Sequence, residues 1–70
     1  MKTITYLEQD FEVPVWAKFI AADPDGVVVV YAQRPYWDSA MLCWNFTSFD
    51  FEAVGTLAEQ MDYMPPVLVI

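Results

Sequence analysis

The segment that most restricts the fold is Asp23-Pro24-Asp25-Gly26, which sits between two apolar arms rich in β-branched residues. Asp23 can accept hydrogen bonds at the start of a turn, and Pro24 presets φ for the next position of a type I turn. Gly26 supplies the left-handed residue that closes such a turn with a bulge. The chain is therefore expected to form a β-hairpin over residues 15–34. The outgoing arm, 27–31, reads Val-Val-Val-Val-Tyr. A run that is apolar without alternation belongs in the middle of a sheet or under cover on both faces.

The flanking segments divide around this hairpin. Arg34-Pro35-Tyr36-Trp37-Asp38 reads as a connector, because proline interrupts a ladder. Residues 40–47 offer a third strand, in which the period of two puts Leu42, Trp44 and Phe46 on one side and Met41, Cys43, Asn45 and Thr47 on the other. The first set is the expected core side. Asp50 can cap a helix over 51–61, with Glu52 in its first turn and Phe51, Val54, Leu57, Ala58 and Met61 at helical spacing. Gly55 and Thr56 weaken that helix, and extended structure through Phe49 and Phe51 competes with it.

Upstream, Thr3-Ile4-Thr5-Tyr6-Leu7 has strand propensity and can add an edge strand, separated from the hairpin by Pro14. Downstream, Pro65-Pro66 stops any helix, and the apolar tail 67–70 must be buried. It can dock along the hairpin, exchange with a second protomer or insert into a partner's groove. The fold expected from these elements is α+β: one small domain over 1–70, an antiparallel β-meander built on the hairpin, with a short C-terminal helix. With 57% hydrophobic and 17% aromatic residues in 70, the chain has the material for one core and is far from a disordered composition.

Charge excludes several functions. Ten acidic residues face only Lys2, Lys18 and Arg34, a formal net charge of -7. Direct nucleic-acid binding needs clustered cations that release phosphate counterions, and three scattered ones do not supply them. Anionic membrane surfaces are disfavoured for the same reason. No run of eighteen apolar residues or signal-type stretch occurs, so the chain reads as unprocessed and cytoplasmic. Cys43 stands alone and reads as a small core residue. The chain has no histidine, which removes the commonest general base and metal ligand.

Two carboxylate patterns bear on function. Asp23-Pro24-Asp25-Gly26 fails as a calcium loop: with Gly26 at the invariant glycine, Ala21 takes the first ligand position and Ala32 that of the bidentate glutamate. Paired acids for hydrolysis need a cleft and one desolvated carboxyl, whereas Asp23 and Asp25 belong to a turn tip. No enzyme activity, cofactor or metal is expected. Glu8, Asp10 and Glu12 alternate, which on an extended segment puts three carboxylates on one face about 6.5 to 7 Å apart, with Leu7, Phe11 and Val13 inward. That spacing is close to that of phosphates along a nucleic-acid strand. The aromatics exceed what a minimal core needs, and Tyr36 and Trp37, beside Asp38, are candidates for an exposed contact patch. Arg34 can stack on Trp16 across the hairpin.

The stretch Val13-Pro14-Val15-Trp16-Ala17-Lys18-Phe19-Ile20-Ala21-Ala22-Asp23-Pro24-Asp25-Gly26, followed by 27–31, Pro35 and Trp44, resembles small uncharacterised tailed-phage and prophage accessory proteins. These carry a similar Pro-x-Trp-Ala, Ile-Ala-x-Asp-x-Asp-Gly, aromatic and Pro pattern. The resemblance covers the middle half of the chain. It implies a phage context and action inside the host cell, and brings no catalytic residues with it. The expected function is that of an acidic accessory protein that binds and inhibits a host protein machine with a basic surface, anti-defence or anti-CRISPR-like. Its contact residues would be Glu8, Asp10, Glu12, Tyr36, Trp37 and Asp38, with nucleic-acid charge as the feature mimicked. The alternative is a structural or assembly protein that forms a homo-oligomer, such as a homodimer, through its apolar tail and aromatics.

Overall fold

The computed structural model describes residues 1–46, 49–58 and 66–70, and among them every regular element is a strand. In chain order these are β1 (Lys2–Tyr6), β2 (Gln9–Val13), β3 (Phe19–Ala22), β4 (Val27–Tyr31), β5 (Tyr36–Asp38), β6 (Cys43–Asn45), β7 (Phe51–Thr56) and β8 (Leu68–Val69). A four-stranded sheet of order β7-β4-β3-β8 lies at the centre, and β1-β2 and β5-β6 form separate two-stranded sheets. All pairings are antiparallel.

The hairpin forms where its turn chemistry places it. β3 pairs β4 from Phe19↔Tyr31 to Ala22↔Val28. Gly26 N–H donates to the Asp23 carbonyl at 2.8 Å, Asp23 N–H donates to Val27 at 2.9 Å, and Gly26 has φ 96°. The Asp25 side chain accepts from Val27 N–H at 3.0 Å. The four-valine arm is central, flanked by β3 and β7, so no position on it needs to be polar.

The α+β expectation is overturned. Where a helix was expected over 51–61, residues 51–56 form β7 on the free side of β4, and 59–61 lie outside the described residues. Two physical reasons decide it. β4 offers a second ladder edge, which the helix would leave bare. Gly55 also admits the Phe11 ring: a Cβ there would stand 3.0 Å from Phe11 Cε1 and 3.1 Å from Cδ1. The register slips between Val28 and Val29, a bulge that puts Gly55 opposite Val28.

The N-terminal segment does not extend the sheet as an edge strand. β1 pairs β2 as its own hairpin, from Lys2↔Val13 to Tyr6↔Gln9, around Leu7 and Glu8 at φ 50° and 67°. A two-residue loop with both φ positive matches the twist of its strands. Here it is built without glycine, at about 1–2 kcal/mol per residue. Leu7, expected inward, is therefore exposed at the turn.

This hairpin covers one face of the central sheet. Tyr6, Phe11, Val13 and Ala17 pack with Ile20, Ala22, Val28 and Val30, and Ile4, Val54, Leu57 and Ile70 border the cluster. Tyr6 fastens three segments: its hydroxyl donates to the Pro66 carbonyl at 2.6 Å and accepts from Ala22 N–H at 3.0 Å. Burial pushes its phenol above the usual range. The tail docks along the hairpin, with β8 against β3 and Ile70 N–H on the Lys18 carbonyl at 2.8 Å, but the burial expected of it is not complete, since Leu68 and Val69 are exposed on this edge strand.

Between β4 and β7 the expectations shift by a few residues. The supposed connector contains β5, because Pro35 lies just before the paired residues and interrupts nothing. The strand expected over 40–47 contracts to Cys43–Asn45, with Thr47 outside the described residues. Ala40 and Met41 are drawn into a turn by Asp38, whose Oδ1 accepts both their N–H groups at 3.0 and 3.1 Å. Leu42, at φ 54°, belongs to the same turn and is 63% exposed, so it is not a core residue. Trp44 is half-buried and Phe46 exposed, and Cys43, expected as a small core residue, is only half-buried. Arg34 lies over Phe19, 5.0 Å from the ring centroid, in place of the expected stack on Trp16.

Candidate interaction surface

The period of two sends Phe19, Ala21, Val29 and Tyr31 to the sheet face opposite the Tyr6 cluster. The β5-β6 hairpin serves this second face. Trp37 and Trp44 are directly paired across it and meet edge to face, with centroids 5.4 Å apart and planes at 72°. Trp44 N–H donates to Asp23 Oδ1 at 2.8 Å, which ties β6 to the turn of the central hairpin. Asp23 thus has a structural task beyond starting its turn. Desolvation raises its pKa, the Trp44 bond lowers it in part, and Asp25 raises it. Trp44 Nε1 is buried and meets no acceptor among the described residues, at a cost of about 1–3 kcal/mol.

Beyond β6 the aromatics continue outward. Tyr31 and Phe51 are cross-strand partners with centroids 6.3 Å apart. Phe46 stacks on Phe51 at 4.4 Å and 25°, and Phe49 leans on Phe46 at 5.6 Å. Tyr31 at the inner end is 4% exposed and Phe49 at the outer end 87%. Large apolar side chains at Tyr36, Met41, Leu42, Phe46 and Phe51 are exposed as well. A monomer of this size rarely leaves so much aromatic surface in water without a use for it.

Next to this surface, Asp23, Pro24, Asp25, Met41, Leu42 and Cys43 line a cleft of about 330 Å³. Desolvation and then the Asp23, Asp38 and Asp25 carboxylates push the Cys43 thiol above its usual range. A nucleophilic thiol needs the opposite shift, so the cleft is a poor place for thiolate chemistry. Among the described residues no group of three or more His, Cys, Asp or Glu is placed to hold a metal ion, and no helix is long and apolar enough to cross a membrane.

The residues singled out in the sequence fall into two separate sets. Asp10 and Glu12 are exposed along β2, and Asp10 accepts from Thr5 Oγ1 at 2.6 Å. Glu8 leaves that row, because it occupies the left-handed turn. Tyr36, Trp37 and Asp38 lie on β5, which belongs to the other side of the central sheet. Tyr36 is half exposed, Trp37 half-buried against Trp44, and Asp38 is engaged by its own turn. The structure does not join the acidic row to the aromatic patch. What the sequence reading missed is the Phe46, Phe49 and Phe51 stack. Its signal was the alternation of Phe49 and Phe51, which is the strand reading of that segment.

Comparison with protein families, with characterised proteins and with solved structures finds no significant match to this chain.

Proposed function

We propose that this chain is a non-enzymatic binding module whose exposed aromatic surface docks on a protein with a basic site, drawn to it by the acidic charge of the chain. One observation carries the reading: an acidic chain of net charge -7 keeps a connected row of phenylalanines open at one side of its sheet. Aromatic anchors supply contact energy, and the surrounding field supplies attraction and orientation. The resemblance of the middle half of the chain to phage accessory proteins supports a role against a host machine, anti-defence or anti-CRISPR-like, with the carboxylates standing in for phosphates. The docked tail gives the homo-oligomer alternative less support, since 68–70 are already engaged by β3 and Lys18 of the same chain.

The test is capture of partners from a bacterial lysate by the tagged chain at low and moderate salt, with its own mass followed by light scattering. A stoichiometric partner with a basic surface, released as salt rises and on reversal of charge at Glu8, Asp10 and Glu12, is the expected result. Tight capture that survives both changes would overturn the acidic-surface mechanism. A defined oligomer that becomes a monomer on removal of 67–70 would favour the structural role.

A further inference from the structure

The outer edge of β7 is only partly closed, and the way it is closed indicates what it can receive. Ala32 N–H donates to the Asp50 carbonyl, so the alternation of an antiparallel ladder turns the backbone groups of Asp50 and Glu52 toward β4 and those of Phe51 and Ala53 away from it. At one end of the outward row the Gln9 carboxamide imitates a neighbouring strand: Nε2 donates to the Thr56 carbonyl at 2.9 Å and Oε1 accepts from Ala58 N–H at 3.1 Å. At the other end Phe51 N–H turns back to the Phe49 carbonyl at 3.1 Å. Between these plugs lie the Phe51 carbonyl and the N–H and C=O of Ala53. Phe51, Glu52 and Ala53 are all exposed, and no strand lies beyond β7 among the described residues.

We propose that this gap accepts a short extended segment of a basic partner, added antiparallel to β7 as a fifth strand of the central sheet. The inference rests on the binding-module reading and gives it a place and a backbone geometry. Charge selects the occupant. Glu52 is exposed on the edge and Asp50 is exposed immediately before it. A second copy pairing edge to edge about Glu52 would set that carboxylate directly against its equivalent, which is how natural edges discourage self-association. The same carboxylate attracts a strand that presents Lys or Arg opposite it. The residues beside that cation would point to the other face, where Phe51 and its stacked neighbour Phe46 offer apolar rings. The recognised pattern is apolar-basic-apolar in an extended chain, with main-chain bonds supplying affinity and alternate side chains specificity.

The experiment uses the full-length chain and two capped peptides, Lys-Val-Lys-Val-Lys-Val-Lys and its counterpart with Glu in place of Lys. Amide shifts and hydrogen exchange are followed residue by residue. The lysine peptide is expected to protect the Ala53 amide and to shift Phe51 and its neighbours, and the glutamate peptide to leave them unchanged. Glu52→Lys, at an exposed side chain, should weaken the lysine peptide at least about tenfold and admit the glutamate peptide. Ala53→Pro removes only an outward N–H, a change edge strands tolerate, and should abolish the shifts that the lysine peptide causes at Phe51 and its neighbours while the β4 ladder persists. Shifts confined to Asp10 and Glu12 would overturn this inference and leave the basic-partner reading standing. Equal binding of both peptides, or of neither, would overturn both. Protection of Ala53 that grows with protein concentration alone would make the occupant a second copy and overturn the partner named here.

Discussion

The two faces of the central sheet are finished differently. On one, the β1-β2 hairpin seals Ile20, Ala22, Val28 and Val30 under Tyr6, Phe11 and Val13, all 6% exposed or less. On the other, Ala21 and Tyr31 are buried as well, but an aromatic row becomes more exposed from Tyr31 to Phe49. The sealed face is built of aliphatic side chains, Phe11 and one tyrosine whose hydroxyl both donates and accepts a hydrogen bond. The open face uses indoles and phenyl rings, one with a buried N–H that lacks an acceptor among the described residues. Close packing thus lies on one side of the four-stranded sheet and exposed aromatic surface on the other.

Substitutions can break this comparison. The largest effect is expected from Ile20→Ala on the sealed face, a loss of about 2–5 kcal/mol in urea unfolding, while Phe49→Ala on the open face should stay within about 0.5 kcal/mol. Equal losses would mean that the open face is core. Tyr6→Phe removes the hydroxyl that accepts from Ala22 and donates to Pro66. It should cost about 1–3 kcal/mol and speed amide exchange at Ala22 and along 66–70, because a buried N–H loses its partner. Gly55→Ala pushes a methyl against the Phe11 ring, and a loss of about 1–3 kcal/mol in thermal unfolding is expected. Wild-type stability there would show that Phe11 can move aside.

The smallest expected effect concerns pH. The Asp23 carboxyl has a raised pKa, chiefly from desolvation, so the folded chain holds this proton more tightly than the unfolded one. Its contribution is therefore fully present below the ordinary aspartate range and is lost as pH rises through the raised value. Asp23→Asn keeps an oxygen for Trp44 N–H and should remove that portion of the slope, seen as a difference between the stability-pH curves of the two proteins. Superimposable curves would place Asp23 in water.

The hairpin was legible because its information is local: a proline, a glycine and two aspartates in four positions, with valines beyond. The segment after Asp50 was not. Phe51, Val54, Leu57 and Ala58 satisfy a helical period as well as a strand satisfies Phe49 and Phe51. The choice was made by a vacant ladder edge on β4 and by Phe11, a residue forty-four positions upstream of Gly55. The acidic row was legible in Asp10 and Glu12, but Glu8 was lost to a turn whose positive φ values no glycine announced. The candidate surface was half visible. Tyr36 and Trp37 were found through their composition, whereas the phenylalanine stack joins Phe51 on β7 to Phe46 and Phe49, which lie between β6 and β7.

By itself the sequence determined the central hairpin, the burial of its valine arm and the acidity of the chain, since turn chemistry, apolar runs and charge counts act over a few residues. The tertiary structure decided that 51–56 is a strand, that the N-terminal segment folds on itself, which face is sealed and which aromatics remain open. Those outcomes turn on satisfying backbone edges and filling space between segments distant in the chain, and such requirements arise only once the segments have met.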